Sequence, residues 1–196
     1  MALDRRSLDL EHLRPILSLV VVIWVVQIAN WVLRYAPNQW FGLDPRTFEG
    51  LLGIPLSPLL HANFGHIVAN TVPLLVLGGM AAMASPKRFF EATFVIIVLG
   101  GAMVWLLARG GNKTHVGASG LIFGYLGYVV ALGVFERSLK AIVFAALAVL
   151  LYGGMIWGVF PTNRGVSWES HLFGGIAGVA AAWRMRHDGR ETPHVT

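Results

Sequence analysis

Long runs of apolar residues constrain this chain more than any other feature of its sequence. They lack the polar interleaving of an amphipathic soluble helix, and most approach the ~20 residues that cross the hydrocarbon core of a bilayer. A spanning helix satisfies its backbone hydrogen bonds internally, so the pattern predicts an all-α, polytopic membrane protein, a bundle of six transmembrane helices. The six predicted spans are Ile16–Leu33, Ile67–Ala84, Ala92–Ala108, Val116–Val134, Ala141–Phe160 and Ser170–Trp183.

The composition agrees with a chain that lives in lipid. Hydrophobic residues make up 56% of the sequence and charged residues only 13%, against roughly 25% charged in a soluble domain. The first run is followed by RYAPNQW, without a small-residue cleavage site, and is therefore expected to remain as a span. We expect one six-helix domain over residues 15–184, flanked by cytoplasmic segments at 1–14 and 185–196. Because the chain has no cysteine, disulfides and thiolate chemistry are excluded.

The distribution of lysine and arginine predicts the orientation. With the amino terminus inside, ten basic residues fall on the cytoplasmic side and five on the other. Both termini are then cytoplasmic, as an even number of spans requires. The net charge of +5 follows from this topology and is not interpreted as a nucleic-acid-binding patch.

A few polar groups stand at span ends that the topology places on the non-cytoplasmic side. Ser119 begins the fourth span, His171 begins the sixth, and His61, His66 and Asn70 lead into the second. Each of them alone is compatible with hydrogen bonding between neighbouring helices. Intramembrane ionisable groups are also functional candidates by default, and these are predicted at a similar depth.

Together these groups favour nucleophilic catalysis. A serine nucleophile needs a base whose proton affinity suits neutral pH, and Ser119 and His171 supply that pair. Backbone N–H groups at the start of the Ser119 helix, with His66 and Asn70, would stabilise an oxyanion. Glu169, two residues before His171, would point differently on a helix, so a Ser-His dyad is favoured over a triad.

Glycines surround the same positions. Gly117 and Gly120 leave bare backbone beside Ser119, where a substrate chain can approach. Gly174 and Gly178 form a GxxxG face for close helix packing. The matching surface on the fourth span is expected at Gly124 and Gly127.

Three stretches resemble the motifs of the rhomboid intramembrane serine proteases. GASG is similar to the family's GxSG, HANFGHIVAN to HxxxxHxxxN, and HLFGGIAG to HxxGxxxG, all in the family's order. The resemblance covers roughly residues 15–184. It implies Ser119 as nucleophile, His171 as general base, and His66 and Asn70 with Ser119 at the oxyanion.

The resemblance also implies supporting residues and a route for the substrate. An aromatic residue four positions after the nucleophile packs on the catalytic histidine in the family; here it is Phe123. His61, Gly117, Gly120, Gly174 and Gly178 complete the motifs. A Trp-Arg pair in the family's first loop is absent, and Pro45-Arg46 is the nearest match. A mobile cap is expected at residues 161–170, with substrate arriving from lipid past the fifth span.

The sequence therefore predicts an intramembrane serine endopeptidase of a bacterial plasma membrane. Its expected partners are transmembrane protein substrates and membrane lipids, without nucleic acid, cofactor or metal. An α/β-hydrolase elbow would need GxSxG, where Leu121 stands, and a zinc protease would need HExxH, which is lacking. Two non-enzymatic alternatives stay open: an inactive rhomboid-like protein that binds transmembrane helices, and a bis-histidine haem protein.

Overall fold

The structure is a computed structural model that describes residues 10–110, 114–161 and 167–186. Helices make up nearly all of the regular structure there, and residues Leu43 and His115 form an isolated antiparallel bridge. The predicted segment 1–14 falls partly, and the predicted tail 185–196 mostly, outside the described residues. The described residues form nine α-helices in succession: α1 Arg14–Val32, α2 Ala36–Phe41, α3 Gly50–Leu56, α4 Phe64–Ala84, α5 Pro86–Val95, α6 Gly101–Leu107, α7 Ser119–Glu136, α8 Leu139–Tyr152 and α9 Trp168–Met185.

Within the described part of the chain, five continuous helical stretches are long and apolar enough to cross a membrane. They are Glu11–Val32, Phe64–Ala84, Pro86–Leu107, Ser119–Glu136 and Leu139–Val159. The sixth predicted span corresponds to α9, which has 18 residues but begins with WESH and ends near Arg184. The five apolar stretches make the chain an integral all-α membrane bundle. Because its ends are polar, α9 is not among the five, and a sixth membrane crossing stays a prediction.

Three of these five described stretches are not uniform α-helices, and the first, Glu11–Val32, begins in a 3-10 segment at Leu10–Leu13. The stretch Pro86–Leu107 contains a π-helical turn at Ile96–Gly100, and Leu139–Val159 ends in a 3-10 segment at Gly153–Val159. π-Helical turns are rare and occur mostly as single turns inside α-helices. Here Ile96 lies against Gly124 of α7, and Gly100 lies against Gly174 of α9.

Side-chain caps explain where several helices begin. Asn63 accepts a hydrogen bond from the His66 N–H at the start of α4, at 2.9 Å. Serines take the same role before α5, α8 and α9, at Ser85, Ser138 and Ser167. Such caps satisfy backbone donors that have no acceptor within the helix.

The helix α7 lies at the centre of the bundle. Half of its apolar window is buried, against 6% of the window of Leu139–Val159. Its fully buried Tyr125 and Tyr128 contribute to a core shared with α1, α4, α5 and α9. The stretch of α8 is therefore the peripheral, lipid-facing element, whereas α7 is the rigid support of the candidate site.

The connection between α1 and α4 is anchored on the end of α6. Arg46 Nη1 donates to the carbonyls of Leu106 and Ala108, at 3.2 and 2.6 Å. Trp105 Nε1 donates to the carbonyl of Thr47, at 2.8 Å. Thus Arg46 anchors this loop although the Trp-Arg pair is missing.

Candidate functional site

Ser119 is the first residue of α7. The predicted fourth span began at Val116, but regular helix starts three residues later because Gly117 has φ +123°. The first backbone hydrogen bond of α7 is donated by the Ile122 N–H to the Ala118 carbonyl, at 2.9 Å. Ser119 therefore lies at the helix end where backbone N–H groups and the positive end of the dipole are available.

The backbone of Gly117 is enclosed by polar side chains of α4. A Cβ built there would lie 2.6 Å from Cε1 and 2.9 Å from Nε2 of His66, and 3.7 Å from Nδ2 of Asn70. The Gly117 N–H donates to the Ser57 carbonyl at 2.9 Å. Both its positive φ and its surroundings require glycine. The structure thus brings His66 and Asn70 to the residue two positions before Ser119.

Asn70 has an unused hydrogen-bond donor at this place. The residue is 8% exposed, and its Nδ2 is buried without an acceptor among the described residues. Buried amide groups rarely stay unsatisfied, and exceptions occur at functional sites. The amide is therefore available for an acceptor that arrives with a ligand.

His171 is held by an aromatic ring and a backbone carbonyl. Its imidazole stacks on Phe123, with ring centroids 4.1 Å apart and planes 8° from parallel. Nδ1 lies 2.9 Å from the carbonyl oxygen of Gly158. Since a carbonyl can only accept, Nδ1 carries the proton, and the lone pair of the neutral ring is on Nε2.

Ser119 and His171 are brought to the same region without a direct hydrogen bond. Phe123, one turn after Ser119 on the same face of α7, supports the imidazole. Neither the Ser119 hydroxyl nor His171 Nε2 bonds to another described residue. Catalytic hydrogen bonds are often long without substrate and tighten in the complex.

Glycines set the close approach of α7 and α9. A Cβ on Gly174 would overlap the carbonyl oxygen of Gly120, and a Cβ on Gly178 would overlap that of Gly124. The expected partners Gly124 and Gly127 were therefore right only in part, since Gly127 faces the Gly175 carbonyl instead. The GxxxG face of α9 places His171 one turn above this contact.

His61 connects the Ser119 loop to α1. Its Nε2 accepts from the Ala118 N–H at 3.4 Å, and its carbonyl accepts from the amides of Asn30 and Asn38 at 3.0 and 3.2 Å. Burial, with the nearby His66 ring, lowers the pKa of His61 to about 4. The His61 and His66 centroids are 5.1 Å apart in a T-shaped arrangement, which does not fit two ligands on opposite faces of a haem.

The carboxylate nearest in sequence to His171 is engaged elsewhere. Glu169 Oε1 accepts from Arg109 Nε at 2.7 Å, and the Glu169 side chain is 5% exposed. Arg109 also lies over the Trp168 ring, 5.5 Å from its centroid. This pair ties the end of α6 to the first turn of α9, while Gly158 orients the imidazole.

Three participants were not foreseen from the sequence. The role of Gly158 depends on a backbone carbonyl, which leaves no sequence signal. His115 and Ser167 join the loop of Ser119 to the start of α9, with His115 Nδ1 2.6 Å from Ser167 Oγ. A histidine four residues before the candidate nucleophile was the available signal for that contact.

Comparison with known proteins gives the family. The Rhomboid domain model matches residues 49–188, so the chain belongs to the rhomboid family. An uncharacterized protein of Mycobacterium bovis is 40% identical over 177 residues, which cover 87% of this chain and 73% of the relative. One from Mycobacterium leprae is 36% identical over 184 residues, 90% of this chain and 72% of the relative. A Bacillus subtilis protein provisionally named a rhomboid protease is 24% identical over 159 residues, 79% of this chain and 71% of its own length.

Proposed function

We propose that the protein is an intramembrane serine endopeptidase that cleaves transmembrane segments of other membrane proteins near the non-cytoplasmic face. The observation that carries this proposal is the grouping of unused polar groups around residues 117–119. The buried amide nitrogen of Asn70 and the ring of His66 face Gly117, and neither Asn70 Nδ2 nor Nε2 of the stacked His171 has a hydrogen-bond partner among the described residues. Family membership supports the same activity.

His171 acts as the general base. With Nδ1 donating to Gly158, its Nε2 takes the hydroxyl proton of Ser119 as the serine oxygen attacks the substrate carbonyl. His171 then returns the proton to the leaving amine, giving an acyl-enzyme. Water attacks this ester while His171 accepts its proton, and His171 then passes that proton to the serine oxygen as the acyl–oxygen bond breaks, which frees Ser119 and the second product.

The oxyanion formed in each attack is stabilised by donors already in place. The Ser119 N–H at the start of α7, Asn70 Nδ2 and the His66 ring provide them. Asn70 Nδ2 gives up no protein hydrogen bond to do so, because it has none among the described residues. The donors therefore need little reorganisation as charge develops.

The substrate is a membrane segment that unwinds locally, since a regular helix shields its own carbonyls. An apolar cavity of about 810 Å³ separates the stretch of α8 from α7 and α9 and reaches Phe123 and His171. We propose this side of the bundle as the route from lipid. Of the proposed cap at 161–170, residues 162–166 lie outside the described residues.

The test compares the wild type with Ser119→Ala in liposomes, using a transmembrane model substrate with a small residue before the expected cut. Ser18→Ala, at an exposed position of α1, is the matched control. The proposal expects cleavage by the wild type and the control, and none by Ser119→Ala. Equal cleavage by Ser119→Ala would overturn it.

Fluorophosphonate labelling separates the proposal from its alternative. A wild type that labels at Ser119, and whose His171→Ala variant does not, has the activated serine of a protease. A wild type that neither cleaves nor labels, yet captures transmembrane peptides, would instead be an inactive rhomboid-like binding protein.

A further inference from the structure

The loop of Ser119 and the helix of His171 meet at a side chain outside the three motifs. We infer that His115 is a positioning residue that holds the nucleophile and the base in register. This inference rests on the proposed function for its catalytic consequence, and on the hydrogen bonds of His115 for its geometry. His115 is 8% exposed, so it acts within the protein.

The backbone of His115 is fixed before its side chain makes any contact. Its N–H donates to the Leu43 carbonyl at 2.8 Å, and its own carbonyl accepts from the Leu43 N–H at 3.0 Å. Leu43 is 2% exposed and packs with Val104 and Ala108. The imidazole therefore projects from a rigid point.

The imidazole contacts Ser167, the residue that caps the start of α9. His115 Nδ1 lies 2.6 Å from Ser167 Oγ and 3.5 Å from Ser170 Oγ. Ser167 Oγ also accepts the Ser170 N–H at 3.2 Å, and the Ser167 carbonyl accepts the His171 N–H at 3.4 Å. A displacement of Ser167 is thus transmitted directly to the backbone of His171.

The same arrangement reaches Ser119 through three residues of short loop. The Gly117 N–H donates to the Ser57 carbonyl and the Ala118 N–H donates to His61 Nε2, so the backbone between His115 and Ser119 is held in place. His115, Ser119 and Ser170 line one cavity of about 50 Å³. His115 stands four residues before the nucleophile, and Ser167 stands four before the base.

A second brace on the first turn of α9 does not perform this task. Arg109 and Glu169 tie α9 to the end of α6, not to the loop of Ser119. The contact of His115 with Ser167 crosses between the two segments that carry the dyad. Its loss is expected to misalign Ser119 and His171, while leaving the substrate-binding surface in place.

The experiment measures kcat and KM for His115→Ala, Ser167→Ala and the double variant in liposomes. A misplacement of about 1 Å costs up to about 100-fold in rate, so we expect kcat to fall about 10–100-fold with KM within about twofold. His115→Asn, which places a polar nitrogen near the Nδ1 position, should recover most of kcat. The double variant should lose little beyond Ser167→Ala alone, because that variant has already lost the contact of His115 with Ser167 and only the longer contact with Ser170 remains.

Ser18→Ala, at an exposed position of α1 and outside the contacts of His115, is the control and should stay within about threefold of the wild-type kcat. Wild-type kcat for His115→Ala, or multiplicative losses in the double variant, would overturn the inference while the proposed function stands. A parallel fall in kcat for His115→Asn would overturn it as well.

Hydrogen exchange tests the positioning role of His115 even if the wild type shows no proteolytic activity. The amides of Ser170 and His171 should exchange faster in His115→Ala than in the wild type, and at the wild-type rate in His115→Asn. Unchanged exchange in His115→Ala would refute the positioning role, whatever becomes of the protease assignment.

Discussion

Replacing Gly117 by alanine tests whether the groups around it stabilise the oxyanion. The new methyl carbon would lie 2.6 Å from His66 Cε1, whereas an ordinary contact begins at 3.4 Å. The ring must therefore retreat by about 0.8 Å, or the loop must move by a similar distance. Misplacement on this scale costs up to about 100-fold in rate.

The backbone of Gly117 adds a second cost. Its φ of +123° is a conformation that residues with a Cβ rarely adopt, and holding such a residue there costs about 1–3 kcal/mol. We expect the free energy of unfolding to decrease by about 1–3 kcal/mol. We also expect kcat to fall about 10–100-fold with little change in KM. Loss in kcat is specific to groups that act in the transition state.

The assay is initial-rate cleavage of a transmembrane substrate in liposomes, beside unfolding monitored in mixed micelles. Gly154→Ala is the matched control, because a Cβ there meets nothing within 4 Å. The reasoning would be refuted by a Gly117→Ala variant with the wild-type kcat. A variant that raises KM alone would place Gly117 at the substrate instead of the oxyanion.

Three further changes probe the packing and titration of the site. Phe123→Leu removes a stacked ring pair worth about 0.5–1.5 kcal/mol, so its kcat should fall up to about tenfold, while Phe123→Tyr stays active. A Phe123→Leu variant with the kcat of Phe123→Tyr would contradict this prediction. Gly178→Ala should lower the free energy of unfolding by about 1–3 kcal/mol through overpacking, whereas Gly175→Ala, whose Cβ would lie 3.8 Å from the nearest oxygen, should be tolerated in the same unfolding assay. The pKa of His61 is about 4 in the folded protein and 6.5 unfolded, so the unfolded state binds more protons between these values. Stability should therefore fall as pH drops from 6.5 to 4, by up to about 1.4 kcal/mol per pH unit, and pH-dependent unfolding that is equally steep in His61→Gln would exclude this histidine as a source.

The sequence predicted those parts of the molecule that local pattern and residue chemistry determine. Apolar length located the helices, and the four-residue spacing of His66 and Asn70 placed both beside Gly117. Polar residues at the start of α9 lowered its apolar character, which is why a helix foreseen as the sixth span does not stand with the five apolar stretches. Mean hydropathy averages the side-chain polarity along a helix and does not report how much of that helix is buried.

What the sequence could not provide depends on contacts between distant backbone groups. The pairing of Gly174 with Gly120, one turn from the expected partner, follows from the relative height of two helices, which no single helix encodes. The 3-10 end of the α8 stretch, which brings the Gly158 carbonyl to His171, is likewise a result of tertiary packing. Neither feature involves a side chain that could have been recognised.

The contact of His171 with the Gly158 carbonyl determines how the imidazole responds to mutation and to motion. A side-chain partner of the base can be deleted by one mutation, whereas a main-chain oxygen is present whatever residue stands there. The orientation of His171 is thus protected against substitution but exposed to motion, because the segment Gly153–Val159 belongs to the least buried stretch of the bundle. If this stretch moves outward, Nδ1 loses its acceptor, and the orientation and tautomer of the imidazole are no longer fixed; when the stretch returns, the tautomer with the proton on Nδ1 is favoured again. A conformation with this stretch displaced would therefore lack the fixed imidazole that the proposed general base requires.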